Sequence, residues 1–494
     1  MKAKIWIISW YLIVIPVLCV TAYLAYHIDP YFHYHQPELD HYHYTLSNPR
    51  CQNDGIVKHF DYDAMITGTS MSQNFRTTEA DEVFHKTFIK VIFRGGTYKE
   101  INDNIMAALK ANPELKTVIR CLDIDHMIEA WDAMRSDLGK YPEYLYDDKP
   151  WNDIQYLLNR DVLFGRTLQM LSDRGKEGFQ PGITPFDDFE RTQEIWAYGI
   201  NTACPFGIHS KPPENFGHLT EEEREELREN IERNVISAAD AYPETDFYYF
   251  YSPYSIDVWS DWYNEGMLVK ILEAEEYVTE LILPHTNIRL YSFNNRTDLI
   301  TDMNHYHDGR HYAAWINSMI LRWLYDGKYR ITPENYQDTL QKEYDFFTTF
   351  DYESINGQED YAEDDYAAAL LNEELTGAAP LPIPADDQVT GFDAAYSGQS
   401  VVISDVDLDE GYRYLCFTGS KAGGQDPMTV SVYGENGETL LVKTLRAPNP
   451  EEESHRYTVD LSTLRGRVSI VMNGGEAGQE GSRRESPFTD IILY

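Results

Sequence analysis

The sequence predicts a membrane helix, then an α/β domain built as a three-layer sandwich with a mostly parallel sheet, and finally an all-β sandwich. An apolar run from Ile5 to Tyr26 opens the chain. Between residues 60 and 325 short apolar runs alternate with amphipathic stretches, which is typical of parallel strands with covering helices. Short alternating runs separated by turn residues follow and favour a β-sandwich. The predicted boundaries are a transmembrane anchor at 1–27, an α/β domain at 28–370, a linker at 371–387 and a sandwich at 388–494.

The opening apolar run is long enough to cross a bilayer as a helix, which takes about 20 residues. The alternative is a cleavable signal peptide, whose apolar region is about 7–15 residues long and is followed by small residues. Here aromatic residues follow instead, at Tyr23, Tyr26, Tyr31 and Phe32. We therefore predict an uncleaved, single-pass anchor in the cell membrane. Lys2 and Lys4 precede it, which places the N-terminus in the cytoplasm and the bulk of the chain outside the cell.

Apolar runs bounded by polar residues predict the strands of the parallel sheet, which are Ala64–Thr67, Phe88–Phe93, Thr117–Leu122, Phe247–Tyr251 and Ile288–Tyr291. Helices are predicted over 98–111 and 220–240, where apolar residues recur at helical spacing. Thr220 and Glu223 form a capping box at the start of the second. A third helix is predicted from Tyr312 to about Tyr325.

A stretch from about 126 to 215 interrupts this alternation with aromatic-rich sequence that is punctuated by proline and glycine. Long excursions within a compact domain are usually functional lids or binding loops. We therefore interpret it as an insertion over the mouth of the site, with a packed helical subdomain as the alternative.

The charge and cysteine content exclude several kinds of function. With 81 acidic and 41 basic residues, the formal charge of -40 repels nucleic acid, so no nucleic-acid partner is predicted. The five cysteines lack metal-binding spacing, and neither a disulfide framework nor a cofactor is predicted. Histidines alternate with tyrosines near the anchor, which favours an aromatic belt at the membrane over a metal site, at His33, His35, His41 and His43.

The first candidate for chemistry is Ser70. The segment YDAMITGTSMSQNF places it directly after a predicted strand, where the chain turns towards a helix at the carboxyl edge of the sheet. A serine hydroxyl is a weak nucleophile by itself. It needs an imidazole to accept its proton and a carboxylate to orient that imidazole.

Both groups are supplied by the segment TDMNHYHDGRHYAAWINSMI, some 240 residues downstream. It contains two DxxH spacings, Asp302 with His305 and Asp308 with His311. The second pair stands directly before the predicted helix, whose apolar face anchors it, so we prefer Asp308 and His311. His307 is a further histidine of the segment.

These segments resemble the SGNH (GDSL-like) hydrolases, and more closely their membrane-anchored bacterial branch, which is related to the D-alanyl transfer protein of teichoic acid modification. The resemblance runs from the anchor to about residue 330, through DPYFHYHQP, RCQNDGIVKHFDYDAMITGTSMSQNF, FRGGTYKEIN, YFYSPYS and HDGRHY. It implies an SGNH fold, with the nucleophile at Ser70 and the Asp-His pair at Asp308 and His311. The oxyanion glycine falls on Gly95 or Gly96.

In that family the serine N–H, the glycine N–H and an asparagine side chain form the oxyanion hole. Where the asparagine is expected, this chain has Asp123, and a carboxylate cannot donate a hydrogen bond unless it is protonated. Asn53 or Asn74 is the alternative donor. The predicted candidates for substrate contact are Asn53, Asp54, Asn74 and Asp123.

Two functions from different classes remain open at this point. The first is a serine esterase or O-acyltransferase that acts on acyl esters of a cell-envelope or extracellular glycopolymer, with the sandwich as a carbohydrate-binding domain by fold-level analogy. Hydrolysis and transfer are not distinguished by the sequence. The second is a non-catalytic surface module, with a degenerate form of the fold, that binds polysaccharide or an envelope-assembly partner. Asp123 in place of asparagine favours this second function.

Overall fold

The chain begins with one long apolar helix, α1 (Lys2–Ile28). The computed structural model describes residues 2–137, 139–147, 149–190, 196–358, 381–383, 393–397, 400–410, 412, 414–420, 428–445, 454–461, 464–473 and 488–493. Trp6–Ile28 is long and apolar enough to cross a membrane, and its most apolar part is not buried in the protein. The predicted N-terminal apolar helix is thus present.

A six-stranded sheet forms the centre of the α/β domain, in the order β3-β2-β4-β6-β7-β8. The first five strands of that order are parallel and only β8 runs antiparallel. Every residue of β2, β3 and β4 is buried, so both faces of the sheet are covered. The strands are β2 (Ala64–Gly68), β3 (Phe88–Ile92), β4 (Thr117–Leu122), β6 (Asp246–Tyr251), β7 (Ile288–Ser292) and β8 (Arg330–Ile331).

Helices alternate with these strands as predicted. After α1 they are α2 (Pro49–His59), α3 (Thr77–Phe84), α4 (Tyr98–Ala111), α5 (Glu143–Tyr146), α6 (Ile154–Leu157), α7 (Leu168–Asp173), α8 (Ile200–Ala203), α9 (Glu221–Ile231), α10 (Ser237–Ala241), α11 (Ile256–Asn264), α12 (Leu268–Ile282), α13 (Thr297–Ile300), α14 (Ala314–Asp326) and α15 (Tyr336–Thr349).

Two predicted helices differ from the observed ones in detail. The helix predicted over 220–240 is interrupted by a π-helical stretch, Glu232–Ile236, and its capping box at Thr220 is present. The helix predicted from Tyr312 begins only at Ala314. Tyr312 pairs instead with Tyr306 in an isolated bridge, which keeps the residue after His311 in extended backbone.

The C-terminal part consists of two antiparallel sheets, in the orders β10-β11-β16-β13-β14 and β15-β12-β17-β9. Their strands are β9 (Leu381–Ile383), β10 (Asp393–Ser397), β11 (Ser400–Asp407), β12 (Tyr414–Ser420), β13 (Met428–Gly434), β14 (Thr439–Leu445), β15 (Ser454–Asp460), β16 (Arg467–Asn473) and β17 (Phe488–Leu493). The predicted fold class, a mostly parallel α/β domain followed by antiparallel β-sheets, is confirmed. A short parallel pair, β1 (His43–Tyr44) with β5 (Gly182–Ile183), lies in the α/β part.

Part of the predicted linker at 371–387 is a strand. Leu381–Ile383 pairs with Ile491–Leu493, at the edge of the second sheet of the sandwich. The rest of that linker, 371–380 and 384–387, lies outside the described residues. The sandwich contacts the α/β domain through an ion pair of 2.7 Å between Arg465 and Glu82.

Two glutamates of the α/β domain, Glu275 on α12 and Glu343 on α15, are fully buried and face each other. Asn294 donates to Glu275, and Ser292 and Asn295 donate to Glu343. Burial raises the pKa of both carboxyls, that of Glu343 to about 7 and that of Glu275 further above its usual range. Two adjacent buried charges would repel each other, which adds to the effect of burial and favours the protonated form of the pair.

We expect Glu343→Gln to flatten the dependence of stability on pH. Above about pH 4.5 the folded pair still holds protons that the unfolded chain releases. The free energy of unfolding therefore falls as the pH rises from about 4.5 to about 7, by up to about 1.4 kcal/mol per pH unit for each proton held. Glutamine mimics the protonated form and keeps the hydrogen bonds. Urea-unfolding midpoints between pH 4.5 and 8 measure this effect. Glu276→Gln, on the exposed side of α12, is the matched control, and equal slopes in the two variants would contradict the expectation.

Candidate active site

Ser70 lies two residues beyond β2, on a turn that only glycine permits. Gly68 has a φ of 138° and is the last residue of the strand. A Cβ at this position would lie 2.3 Å from Cys121 Sγ and 2.7 Å from Ser72 Oγ. The strand therefore packs tightly on β4 while the chain turns out of the sheet. Ser70 is half-buried at the start of a short 3₁₀ helix, and its hydroxyl faces the carboxyl edge of the sheet.

The structure brings Ser70, His311 and Asp308 into one hydrogen-bonded relay. His311 Nε2 lies 2.8 Å from Ser70 Oγ, and His311 Nδ1 lies 2.8 Å from Asp308 Oδ2. When Nδ1–H donates to the carboxylate, Nε2 carries the lone pair and accepts the serine proton. In this tautomer the imidazole can act as a general base on Ser70.

The environment of Asp308 keeps it ionised. Burial alone would raise its pKa, but hydrogen bonds from the His311 side chain and from the amides of His311 and Arg310 outweigh burial and lower the pKa to about 2. The carboxylate is therefore charged at neutral pH. A charged acceptor at this position fixes the imidazole and stabilises the imidazolium that forms when the serine proton moves.

Separate hydrogen bonds tie the serine turn to the histidine loop. Tyr312 and Asn317 both donate to the carbonyl of Met71, at 3.2 and 3.1 Å. On the other side, Ser255 Oγ donates to the carbonyl of Gly309 at 2.7 Å. The loop between Asp308 and His311 is thus fixed to the nucleophile turn and to the end of β6, which preorganises the relay before any substrate binds.

The other DxxH pair does not contact Ser70 in this way. His305 is buried, its Nδ1 lies 3.1 Å from the carbonyl of Leu299, and its ring packs edge-on against Trp315. Burial lowers the pKa of His305. Asp302 caps the short 3₁₀ helix Met303–His305. Asp302 and His305 are thus placed as structural residues, and the preferred pair is the one beside the serine.

Of the two candidate oxyanion glycines, Gly95 fits better than Gly96. The Gly96 amide donates to the carbonyl of Phe93 at 2.7 Å and closes the turn after β3, so it is not available to an oxyanion. Gly95 has a φ of 54°, and a Cβ there would lie 2.6 Å from Arg135 Nη1. Within the described part of the chain, neither the Gly95 amide nor the Ser70 amide has an acceptor.

Asp123, which stands where the resemblance expects an asparagine, is an acceptor of hydrogen bonds in this structure. Its carboxylate is buried and accepts hydrogen bonds from the hydroxyls of Thr69, Ser252 and Tyr254. All three donors are neutral, and the carboxylate holds the residue before the nucleophile against the loop after β6. Asp123 therefore positions the serine turn through Thr69.

We expect Asp123→Asn to lower both stability and turnover. An amide has one acceptor oxygen for three hydroxyl donors, and the lost bonds to a charged acceptor are worth about 2 kcal/mol each in stability. If Asp123 instead occupied a vacant oxyanion position, the asparagine would restore a donor and turnover would rise. Turnover with an ester substrate and the urea-unfolding midpoint separate these outcomes by their sign. Asp125→Asn is the matched control, because Asp125 is half-exposed and, within the described residues, shares the Tyr254 hydroxyl with Asp123 and pairs with Arg310.

The remaining predicted substrate-contact residues lie inside the protein. Asn53 is fully buried and donates to the carbonyl of Ile92 at 2.9 Å, which supports the loop after β3. Asp54 is buried and forms an ion pair of 2.7 Å with Lys58, one turn along α2. Asn74 is buried in the loop that follows Ser70. Asn53 and Asp54 thus have partners within the fold, and their assignment as substrate contacts stays a prediction.

Two residues of the predicted insertion lie beside candidate site residues, and sequence reasoning did not identify them. Trp196 lies 5.1 Å from the His311 ring, centroid to centroid, and stacks on His307 at 4.7 Å. Arg135 donates to the carbonyl of Arg94, next to Gly95. Neither residue belongs to a motif, and each meets its partner only through the fold. Only the compositional change at 126–215 pointed to this segment.

No protein-family model matches the chain, and no curated protein matches it. Among solved structures, it is similar to a protein described as a platelet activating factor from Streptococcus pneumonia, with 11% identity over 57% of this chain and 91% of that chain and a TM-score of 0.29. It is also similar to a two-domain esterase active on acetylated mannans, with 11% identity over 87% of this chain and 90% of that chain and a TM-score of 0.22. The same esterase co-crystallised with mannopentaose gives a TM-score of 0.23. These similarities are distant, and no residue role is taken from them.

Proposed function

We propose that the chain is a membrane-anchored serine esterase or O-acyltransferase that acts on acyl esters of cell-envelope or extracellular glycopolymers. The observation that carries the proposal is the contact of 2.8 Å between His311 Nε2 and Ser70 Oγ, with Asp308 bound to the opposite ring nitrogen. This arrangement has the three roles that acyl transfer requires, namely a nucleophile, a base and a residue that orients the base.

The mechanism follows from this geometry. Ser70 Oγ attacks the ester carbonyl as its proton moves to His311 Nε2, and Asp308 stabilises the resulting imidazolium. The Ser70 and Gly95 amides are the donors available to the tetrahedral oxyanion. Collapse of the intermediate expels the alcohol, which takes its proton from His311, and leaves an acyl group on Ser70.

The second half of the reaction repeats these steps with a new nucleophile. Water or a sugar hydroxyl gives its proton to His311 and attacks the acyl-enzyme, which releases a free acid or a new ester. The residues that we assign serve both outcomes. Product analysis with and without a polyol acceptor therefore decides between hydrolysis and transfer.

The location supports a substrate in the cell envelope. The apolar helix Trp6–Ile28 is followed within a few residues by the folded domain. With lysines before the helix, the domain lies outside the cell, where envelope glycopolymers are found. The C-terminal sandwich is proposed as the part that holds a glycan near the site.

The second candidate is a non-catalytic surface module that binds polysaccharide or an envelope-assembly partner. One observation favours it, which is that a carboxylate at position 123 leaves the oxyanion hole with two backbone donors and no side-chain donor among those that we assign. A fluorophosphonate probe distinguishes the two functions. Covalent labelling between about pH 6 and 9, mapped by mass spectrometry to Ser70, supports the enzyme, and absence of labelling throughout this range supports the binding module.

A further inference from the structure

An apolar surface is exposed directly beside the outer end of α1. It consists of four large side chains from the first part of the predicted insertion, Trp151, Ile154, Phe164 and Leu168, which we call the outer face. Trp151 is 75% exposed, Phe164 65% and Ile154 54%. Several large apolar side chains exposed within one short segment favour a contact with an apolar partner.

The opposite sides of the same elements are buried against the base of α1. Tyr156 and Val162 join Ala25 and Tyr31 in one buried cluster. Both α6 and the π-helical stretch Asp161–Thr167 pack on α1. Ile154 and Phe164, which these two elements carry, are therefore within about one helix diameter, 10–12 Å, of the C-terminal end of α1, and Trp151 and Leu168 flank the same elements.

The junction between α1 and the domain is built to hold a fixed orientation. Asp29, the first residue after α1, is buried and accepts a hydrogen bond of 2.6 Å from the Tyr156 hydroxyl. It also accepts bonds from the amides of His33, Tyr34 and His35. Since Tyr156 belongs to α6, the same residue joins the anchor to the element that carries Ile154. The outer face cannot move away from the anchor without breaking these bonds.

The charge of this segment also differs from that of the rest of the chain. Residues 147–177 contain five cations and six anions and so carry almost no net charge, whereas the whole chain carries a formal charge of -40. The cations are Lys149, Arg160, Arg166, Arg174 and Lys176. An anionic lipid surface repels the chain as a whole, but it repels this segment much less because the segment carries little net charge.

We propose that the outer face is inserted in the interfacial region of the same bilayer that α1 crosses. Trp151 and Phe164 lie at the level of the boundary between headgroups and acyl chains, and Arg160 extends towards the headgroups. The domain is then held at two points, α1 and the outer face, and its active site keeps one height and orientation above the membrane. This inference rests on the proposed membrane placement but not on catalysis.

The full chain is tested in vesicles of about three parts phosphatidylcholine to one part phosphatidylglycerol, with a phosphatidylcholine that carries a photoreactive diazirine in its acyl chain. After irradiation, mass spectrometry maps the cross-linked residues. We expect cross-links at 151–168 as well as within α1. The test variant has serine at all four positions of the outer face. Its yield of cross-links at 151–168 is expected to fall by about tenfold or more, while the yield at α1 is unchanged.

Phe206 is the matched control, because it is 89% exposed but lies beside Ile208, whose amide donates to Asn356, and not beside α1. We expect no acyl cross-links at Phe206. Labelling of α1 without labelling of 151–168 in the wild type would contradict the insertion of the outer face in the bilayer but not the membrane anchor. Absence of labelling at both would overturn the membrane placement and the outer face together. Cross-links from 151–168 to a second copy of the chain would assign the surface to self-association instead.

Discussion

Replacing Ser70 with alanine is expected to lower ester turnover by at least about 10³-fold, and replacing His311 with alanine is expected to have a similar effect. The two side chains act as one unit across a contact of 2.8 Å, so either substitution removes the activated nucleophile. For the same reason the double variant should be about as inactive as either single one. Turnover of an activated acetyl ester by the full chain measures all three variants.

Ser72→Ala is the matched control for these substitutions. Ser72 lies on the same turn, is buried, and donates to the carbonyl of Thr67 at 3.2 Å, but it does not contact His311. We expect its turnover to stay within about tenfold of the wild type, because the lost hydrogen bonds, to Thr67 and to the Cys121 thiol, are neutral and do not involve the relay. Equal turnover of Ser70→Ala and the wild type would place the chemistry elsewhere or remove it, and the non-catalytic module would then be the better description.

Local patterns in the sequence were sufficient for the architecture. The five runs that we predicted as strands form the parallel part of the central sheet, because a strand buried on both faces is mostly apolar. The buried cations Lys90 and Arg120 are exceptions, and both donate to backbone carbonyls. The predicted capping box at Thr220 is equally local, since it depends on a glutamate three residues away. The break of the helix after α9 has no such signal, and neither does the late start of α14, which the bridge between Tyr306 and Tyr312 imposes.

For the candidate site, the sequence supplied the residue types and the structure supplied their distances. Ser70 and His311 are 241 residues apart in the chain, and no local rule brings them to 2.8 Å. The choice between Gly95 and Gly96 depended on one backbone bond, from the Gly96 amide to Phe93. Trp196 was not predicted at all, because its contact with His311 arises from the path of the insertion.

The interpretation of Asp123 from the sequence motif differs from the one that its contacts in the structure support. From the sequence, an acid in place of an asparagine indicates a lost donor and therefore a degenerate site. In the structure, three hydroxyls surround the carboxylate, and one of them belongs to Thr69, next to the nucleophile. An aspartate in place of the asparagine thus removes a side-chain donor and adds a fixed support for the serine turn. Whether Asp123→Asn lowers or raises turnover shows which of the two effects is larger.

Asp308→Asn is expected to lower turnover by about 10³-fold or more while the fold remains intact. An asparagine amide at this position can donate to His311 Nδ1, which favours the tautomer whose Nε2 carries the proton and cannot accept one from Ser70. The pKa of Asp308 is lowered to about 2, so the carboxylate does not titrate between about pH 4 and 9. The loss should therefore persist across this range, which a pH profile of turnover for wild type and variant measures.

Asp302→Asn provides the matched control, because Asp302 has the same DxxH spacing to His305 but that histidine is buried against Trp315. Asparagine keeps an acceptor oxygen for the amide of Asn304, to which the Asp302 side chain is bound at 3.0 Å, so only a small change in turnover is expected. If Asp302→Asn were instead the damaging substitution and Asp308→Asn were close to the wild type, the first pair would be the functional one. A loss confined to Asp308→Asn, with an unchanged urea-unfolding midpoint, would assign the orienting carboxylate to the residue that contacts His311.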